Sequence, residues 1–152
     1  MGFHASWVHG NAITVENPEN LERLGHYGWG GDMQVKHGKS CWFHVALPTP
    51  VILSDVRTKL VRVFLMFETE QGSIRGVHVY DGSAKVHEFN GLMSSGEHRI
   101  NLDGLNTFNL PAPHTVAFGI GVSFLYIAGI GFDSGIPPSR LILGSAGGDY
   151  IT

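Results

Sequence analysis

An all-β fold, an antiparallel β-sandwich of jelly-roll type, is what this sequence predicts, and three features predict it. The first is the stretch Thr115 to Asp133, in which Val116, Phe118, Ile120, Val122, Phe124, Tyr126, Ala128, Ile130 and Phe132 alternate with Ala117, Gly119, Gly121, Ser123, Gly129 and Gly131. Period-two alternation of bulky and small residues marks a sheet with one buried face. The second is a series of short β-branched and aromatic runs separated by turn residues every eight to twelve positions, the spacing of sandwiches and barrels. The third is the 21 glycines among 152 residues, which suit a chain of many turns. One domain covering residues 1–152 is expected at this length.

Taken in order, Ala5 to His9 and Ala12 to Val15 are strand-like runs joined at Gly10-Asn11. Asn17-Pro18 starts a turn, and Asn20 is placed to cap one helical turn through Leu21 and Leu24, closed by Gly25. His26 to Asp32 reads as a glycine-aromatic loop, and Met33 to Val35 as a short strand. Cys41 to Leu47 is a strand with Trp42, His44 and Ala46 on one side, stopped by Pro48 and Pro50. Thr58 to Glu68 is apolar on both faces and so belongs at the centre of a sheet, beneath another layer or subunit. Ile74 to Tyr80 and Lys85 to Phe89 flank Gly82-Ser83, the central pair of a two-residue hairpin loop. Extending that register pairs Tyr80 with Lys85, Val79 with Val86, and His78 with His87; a slip of one residue separates the two histidines onto different faces. His98 to Leu102 is a short strand, Asn106 to Pro113 a loop closed by two prolines, and Arg140 to Leu143 the last strand before a glycine-rich tail. Nineteen residues from Thr115 to Asp133 are too many for one straight strand, so a bend or bulge near Leu125 to Ala128, or a division into two strands, is expected.

Composition narrows the function classes. Charged residues are only 15% of the chain, which points to a surface partly covered by further subunits and hence to a homo-oligomer. A net charge of −3 argues against a nucleic-acid partner. The long apolar tract is broken by glycines and ends in Asp133, which argues against a membrane span. A lone cysteine, Cys41, gives no intrachain disulfide framework and reads as a small buried hydrophobe. The N-terminal residues lack a basic region followed by an apolar one, so the cytoplasm is the default location; a secreted chain stripped of its leader would look the same.

Chemistry-bearing motifs are sparse. Gly131-Phe132-Asp133-Ser134-Gly135 places its serine one position late for a nucleophile elbow. The nine histidines raise a metal site: His78 and His87, if opposite one another, could share zinc or copper with a third ligand from His44, His98 or His114. The loop aromatics suit a sugar, because rings stack on its apolar faces while Asp and Asn accept its hydroxyls. The ligand set expected on this ground is His26, Tyr27, Trp29, Tyr80, Asp81 and Asn90. Gly119, Gly121 and Ser123 leave a flat strip, against which either another sheet or a ligand lies.

At SWVHGNAI (Ser6 to Ile13), SCWFHVALPTPV (Ser40 to Val51), IGFDSGIPPSRL (Ile130 to Leu141) and AGGDY (Ala146 to Tyr150) the chain resembles a family of small bacterial all-β proteins. That resemblance implies the fold and transfers no catalytic residues. More loosely, the strand pattern resembles carbohydrate-binding β-sandwich modules, which implies a glycan ligand. The reading is a non-catalytic, self-associating β-sandwich that binds a glycan and has no resident cofactor. Two alternatives stand beside it: a small metal-dependent enzyme built on His78 and His87, and a purely structural assembly protein.

Overall fold

The computed structural model describes residues 2–131 and 136–152. Its strands are β1 (His4–His9), β2 (Thr14–Val15), β3 (Leu21–Tyr27), β4 (Gly30–Val35), β5 (Ser40–Ala46), β6 (Ile52–Leu53), β7 (Val56–Arg57), β8 (Lys59–Glu70), β9 (Gly72–Asp81), β10 (Ala84–Phe89), β11 (Glu97–His98), β12 (Thr107–Thr115), β13 (Ile120–Ala128) and β14 (Ser139–Ile151). A seven-stranded sheet runs β11-β8-β14-β4-β3, with β12 beside β8 and β1 beside β14. A five-stranded sheet runs β10-β9-β13-β5-β2, and every pairing between strands is antiparallel.

The two sheets close over one apolar core. Phe43, Val45, Val77, Val79, Val122 and Phe124 come from the five-stranded sheet, and Met33, Val63, Leu65, Phe67, Leu141 and Leu143 from the seven-stranded one. The buried phenol of Tyr126 on β13 ties the layers together: it lies 2.5 Å from Ser139 Oγ and donates toward the carbonyl of Glu70 at 3.2 Å. Burial pushes the Tyr126 hydroxyl up to about 12.

The alternating tract forms the central strand of the five-stranded sheet, with Ile120, Val122, Phe124, Tyr126 and Ala128 buried. Its pairing with β9 shifts between Leu125 and Tyr126, where the bend was expected. The alternation does not run its predicted length. Phe118 is 81% exposed and Ile130 66% exposed, because the ladder starts at Ile120 and ends at Ala128. Phe132, Asp133, and Ser134 and Gly135 of the near-miss nucleophile motif lie outside the described residues.

Several local expectations are corrected. The helical turn at Leu21 to Leu24 is strand β3, because its backbone pairs with β4; the only helical turns among the described residues are the 3-10 turns Gly10–Ala12 and Pro18–Asn20. The aromatic loop narrows to a hairpin tip at Gly28-Trp29. Asn106 to Pro113 is mostly edge strand: Pro111 and Pro113 fall where β12 loses its register with β8, between Asn109 and His114, so their missing N–H groups leave no ladder bond open. The strand expected at His98 to Leu102 keeps only Glu97–His98, and the glycine-rich tail is the second half of β14, where Trp7 packs over Gly147.

β8 is central and covered on both faces, as its sequence requires, and the outer cover is supplied by this chain itself. Trp7 stacks on Phe64 with centroids 5.2 Å apart. Asn106 approaches Met66 Sδ at 3.6 Å, and Arg99 pairs with Glu68 at 3.0 Å.

Candidate functional site

With the even residues of β13 directed into the core, Gly121, Ser123 and Leu125 face the other way, onto the open side of the five-stranded sheet. Register places their neighbours. Gly121 sits between Ala46 and Tyr80, Ser123 between His44 and His78, and Leu125 between Trp42 and Gly76. Small residues therefore floor the middle strand while large ones rise from the strands on either side. The result is a groove along β13, about 10 Å from β5 to β9 and about 13 Å from Gly121 to Leu125. Among the described residues, a Cβ built on Gly121 would meet nothing within 4 Å, so none of them places another sheet on this strip. Toward Leu125 the groove narrows, where Trp42 and His78 meet at 4.8 Å between ring centroids. Two adjoining hollows share His44, Tyr80 and Ser123. One, of about 260 Å³, is bounded by Glu16, Trp42, His78 and Lys85; the other, of about 330 Å³, runs over Gly121 to Thr14 and Gly82.

The polar groups of the groove are already organised. The His44 Nδ1 lies 2.6 Å from Ser123 Oγ and its Nε2 lies 2.9 Å from Glu16 Oε1. Glu16 is held in place by its own N–H, which donates to the Trp42 carbonyl at 2.9 Å. Lys85 pairs with Glu88, and that bond together with one from Asn90 holds the Glu88 carboxyl at about 2. The polar groups at both margins are thus already partnered within the protein.

At the open end, Asp81 builds the rim. Its buried carboxylate accepts the N–H of Ala117 at 2.7 Å, Phe118 at 2.9 Å and Gly119 at 3.1 Å, and the Nε2 of His114 lies 2.8 Å away. Burial alone would raise its pKa, but the His114 ring and the three N–H groups outweigh that and hold it at about 2. The loop so fastened displays Phe118 over Gly82, beside the hollow that runs over Gly121.

The residues expected to bind ligand are divided by the fold. Tyr80 lines the groove. Asn90 stands at its margin, 3.4 Å from His78 Nε2. Asp81, 4% exposed, faces inward and positions a loop instead of meeting a ligand. His26, Tyr27 and Trp29 lie on the other sheet. Tyr27 rests over Gly25 and stacks on Trp29 with centroids 5.0 Å apart, Trp29 is 49% exposed as expected, and His26 Nδ1 lies 2.7 Å from the Asn11 carbonyl. Trp42, His44, Glu16, Ser123, Lys85 and Phe118 were not in the expected set. The sequence puts Trp42 and His44 on one strand face and Gly121 and Ser123 on a strip; only the pairing of β5, β13 and β9 joins them.

The expected metal pair is corrected by the hairpin register. Gly82-Ser83 is the loop, and Tyr80 pairs with Lys85, but Val86 is then bulged, so His87 pairs with Val79 and His78 with Glu88. A one-residue slip reverses the face of a side chain, and the two imidazoles do not converge. His87 packs edge-on against Phe89. The third-ligand candidates are engaged elsewhere: His44 with Ser123 and Glu16, His98 with Asp103 at 2.6 Å, and His114 with Asp81. Among the described residues, no three His, Cys, Asp or Glu side chains cluster as a metal site.

The molecule is an antiparallel β-sandwich with an aromatic-walled groove on one open sheet face. It belongs to the family of unknown function DUF6623, whose model matches residues 1–144. No curated protein matches the sequence. Among solved structures, a family 29 carbohydrate-binding module is 10% identical, over 96% of this chain and 89% of that chain, with a TM-score of 0.46. A family 36 carbohydrate-binding module in complex with calcium and xylotriose is 11% identical, over 92% of this chain and 96% of that chain, with a TM-score of 0.40. A family 61 module in complex with β-1,4-galactotriose is 14% identical, over 95% and 85% respectively, with a TM-score of 0.35.

Proposed function

We propose that this protein is a non-catalytic glycan-binding β-sandwich, and that a short neutral sugar chain lies along β13. The observation that carries the reading is the groove itself: a glycine and serine floor, aromatic walls from Trp42 and Tyr80, and polar groups converging from three strands and the segment after β2. A pyranose offers apolar C–H faces to rings and a fringe of hydroxyls to hydrogen-bonding groups, which is the complement of that surface. Neutral sugars are favoured because Lys85 is already paired with Glu88 and His44 with Glu16, so a ligand carboxylate would meet two fixed carboxylates and no unpaired lysine. An array of neutral and acidic oligosaccharides tests this. Neutral sugars should bind, and Trp42→Ala and Tyr80→Ala should each weaken binding about tenfold or more with melting temperature little changed. Retention of an acidic sugar in preference, or no loss in either variant, would contradict it.

We further propose self-association through the outer face of the seven-stranded sheet. Phe3, Trp7 and Leu102 are exposed there around Arg62 and Phe64: the Arg62 guanidinium sits over the Phe3 ring at 4.9 Å, and Leu102 shares a hollow with both residues. A second copy is the occupant that fits the low surface charge. Light scattering should give a multiple of the chain mass, returned to one chain by Leu102→Asp; a wild-type protein that is monomeric at about 100 μM would end this part of the proposal.

A further inference from the structure

Resting on the glycan reading, we infer that Ser123 selects ligand groups by the direction of one hydrogen bond, and that the proton on His44 sets this direction. The geometry is a line of three groups across the groove floor. Glu16 Oε1 lies 2.9 Å from His44 Nε2, and His44 Nδ1 lies 2.6 Å from Ser123 Oγ. A carboxylate only accepts, so the neutral imidazole carries its proton on Nε2 and presents a bare Nδ1. The Ser123 hydroxyl must then donate to Nδ1, which leaves only its lone pairs for a ligand. When the ring gains a second proton, Nδ1–H donates to Ser123 instead. The hydroxyl hydrogen is released toward the groove, and the same oxygen now offers a donor.

Glu16 comes from the segment after β2, Ser123 from β13, His78 and Tyr80 from β9, and Lys85, with its partner Glu88, from β10. Glu16 is the carboxylate bonded to the ring, at 2.9 Å, so it alone fixes the neutral ring's tautomer. Ser123 itself is buried in the floor between His44 and His78, so a ligand hydroxyl reaching the base of the groove meets this oxygen.

A sugar hydroxyl both donates and accepts, so it satisfies either state. A fluorine in its place only accepts. Monodeoxyfluoro versions of a bound neutral oligosaccharide should therefore include one that binds about tenfold more weakly than the parent while the His44 ring is neutral, with that gap shrinking to under about threefold once nitrogen-15 NMR shows both ring nitrogens protonated. Ser123→Ala should abolish the change with pH. Glu16→Gln, which can donate to or accept from Nε2, should release the tautomer and narrow the gap for the neutral ring. Nitrogen-15 NMR of the His44 ring gives a readout that needs no sugar: the neutral ring should show Nε2–H and a bare Nδ1 in the wild type. An Nδ1–H tautomer there, or a pH response that survives Ser123→Ala, would overturn the inference. Absence of sugar binding at every pH would overturn the glycan reading instead, while the ring spectrum still decides the hydrogen-bond direction.

Discussion

At Asp81 a single carboxylate holds the loop that displays Phe118. Its pKa is depressed to about 2, so its contribution is complete above the ordinary aspartate value near 3.9 and is lost as pH falls toward 2. The shift corresponds to about 2 kcal/mol. Asp81→Asn should lower the melting temperature at pH 7 by about 4–8 °C, and its deficit against wild type should vanish between about pH 4 and pH 2. A deficit that stays constant with pH would mean that charge is not what fastens the loop. The sequence misleads at this residue for a physical reason. Aspartate after a strand beside Gly82 looks like an exposed turn residue, and nothing local announces that three N–H groups about 36 positions later will converge on it. Gly121 is the opposite case. Its smallness in an alternating strand already marks a place where another group can come close, and among the described residues the space over it is open.

Among the elements, those whose pattern is continuous were legible and those decided by a single inserted residue were not. β13, β8 and β5 follow from periodicity alone, since burying one face or two leaves few alternatives. The β9–β10 hairpin was legible at its loop and for one pair beyond it. The bulge at Val86 then reversed the side on which His87 lies, and such a bulge needs no special residue to announce it. At β3, Asn20 and Gly25 have the residue types of a helix cap and stop, yet cross-strand pairing with β4 overrides them. At the junction of β1 and β14, Trp7 covers Gly147: a Cβ there would lie 2.5 Å from Trp7 Cδ2 and 2.8 Å from the Ser6 carbonyl oxygen. Because that carbonyl is backbone and cannot swing away, Gly147→Ala should destabilise by about 1–3 kcal/mol in denaturant unfolding. A neutral or stabilising effect would show that β1 is held more loosely than its pairing implies.

For the whole molecule, low charge and a doubly apolar β8 suggested a partner subunit, but Trp7, Arg99 and Asn106 of the same chain already cover that strand. What remains outside is the smaller apolar group around Phe3 and Leu102, to which the proposed self-association is assigned. The groove on the other sheet was half legible. Its floor and its Trp42–His44 wall stood in the sequence as separate faces, and long-range pairing of β5, β13 and β9 joined them, which no local pattern encodes. Gly121→Val tests that assembly most directly. A β-branched residue suits a strand with open space above it, so the variant should fold with equal or slightly greater stability while its side chain fills the groove. In calorimetric titration with neutral oligosaccharides, the wild type should bind and Gly121→Val should show no binding; equal affinity in the two proteins, or no sugar bound by the wild type, would contradict the placement of a glycan along β13.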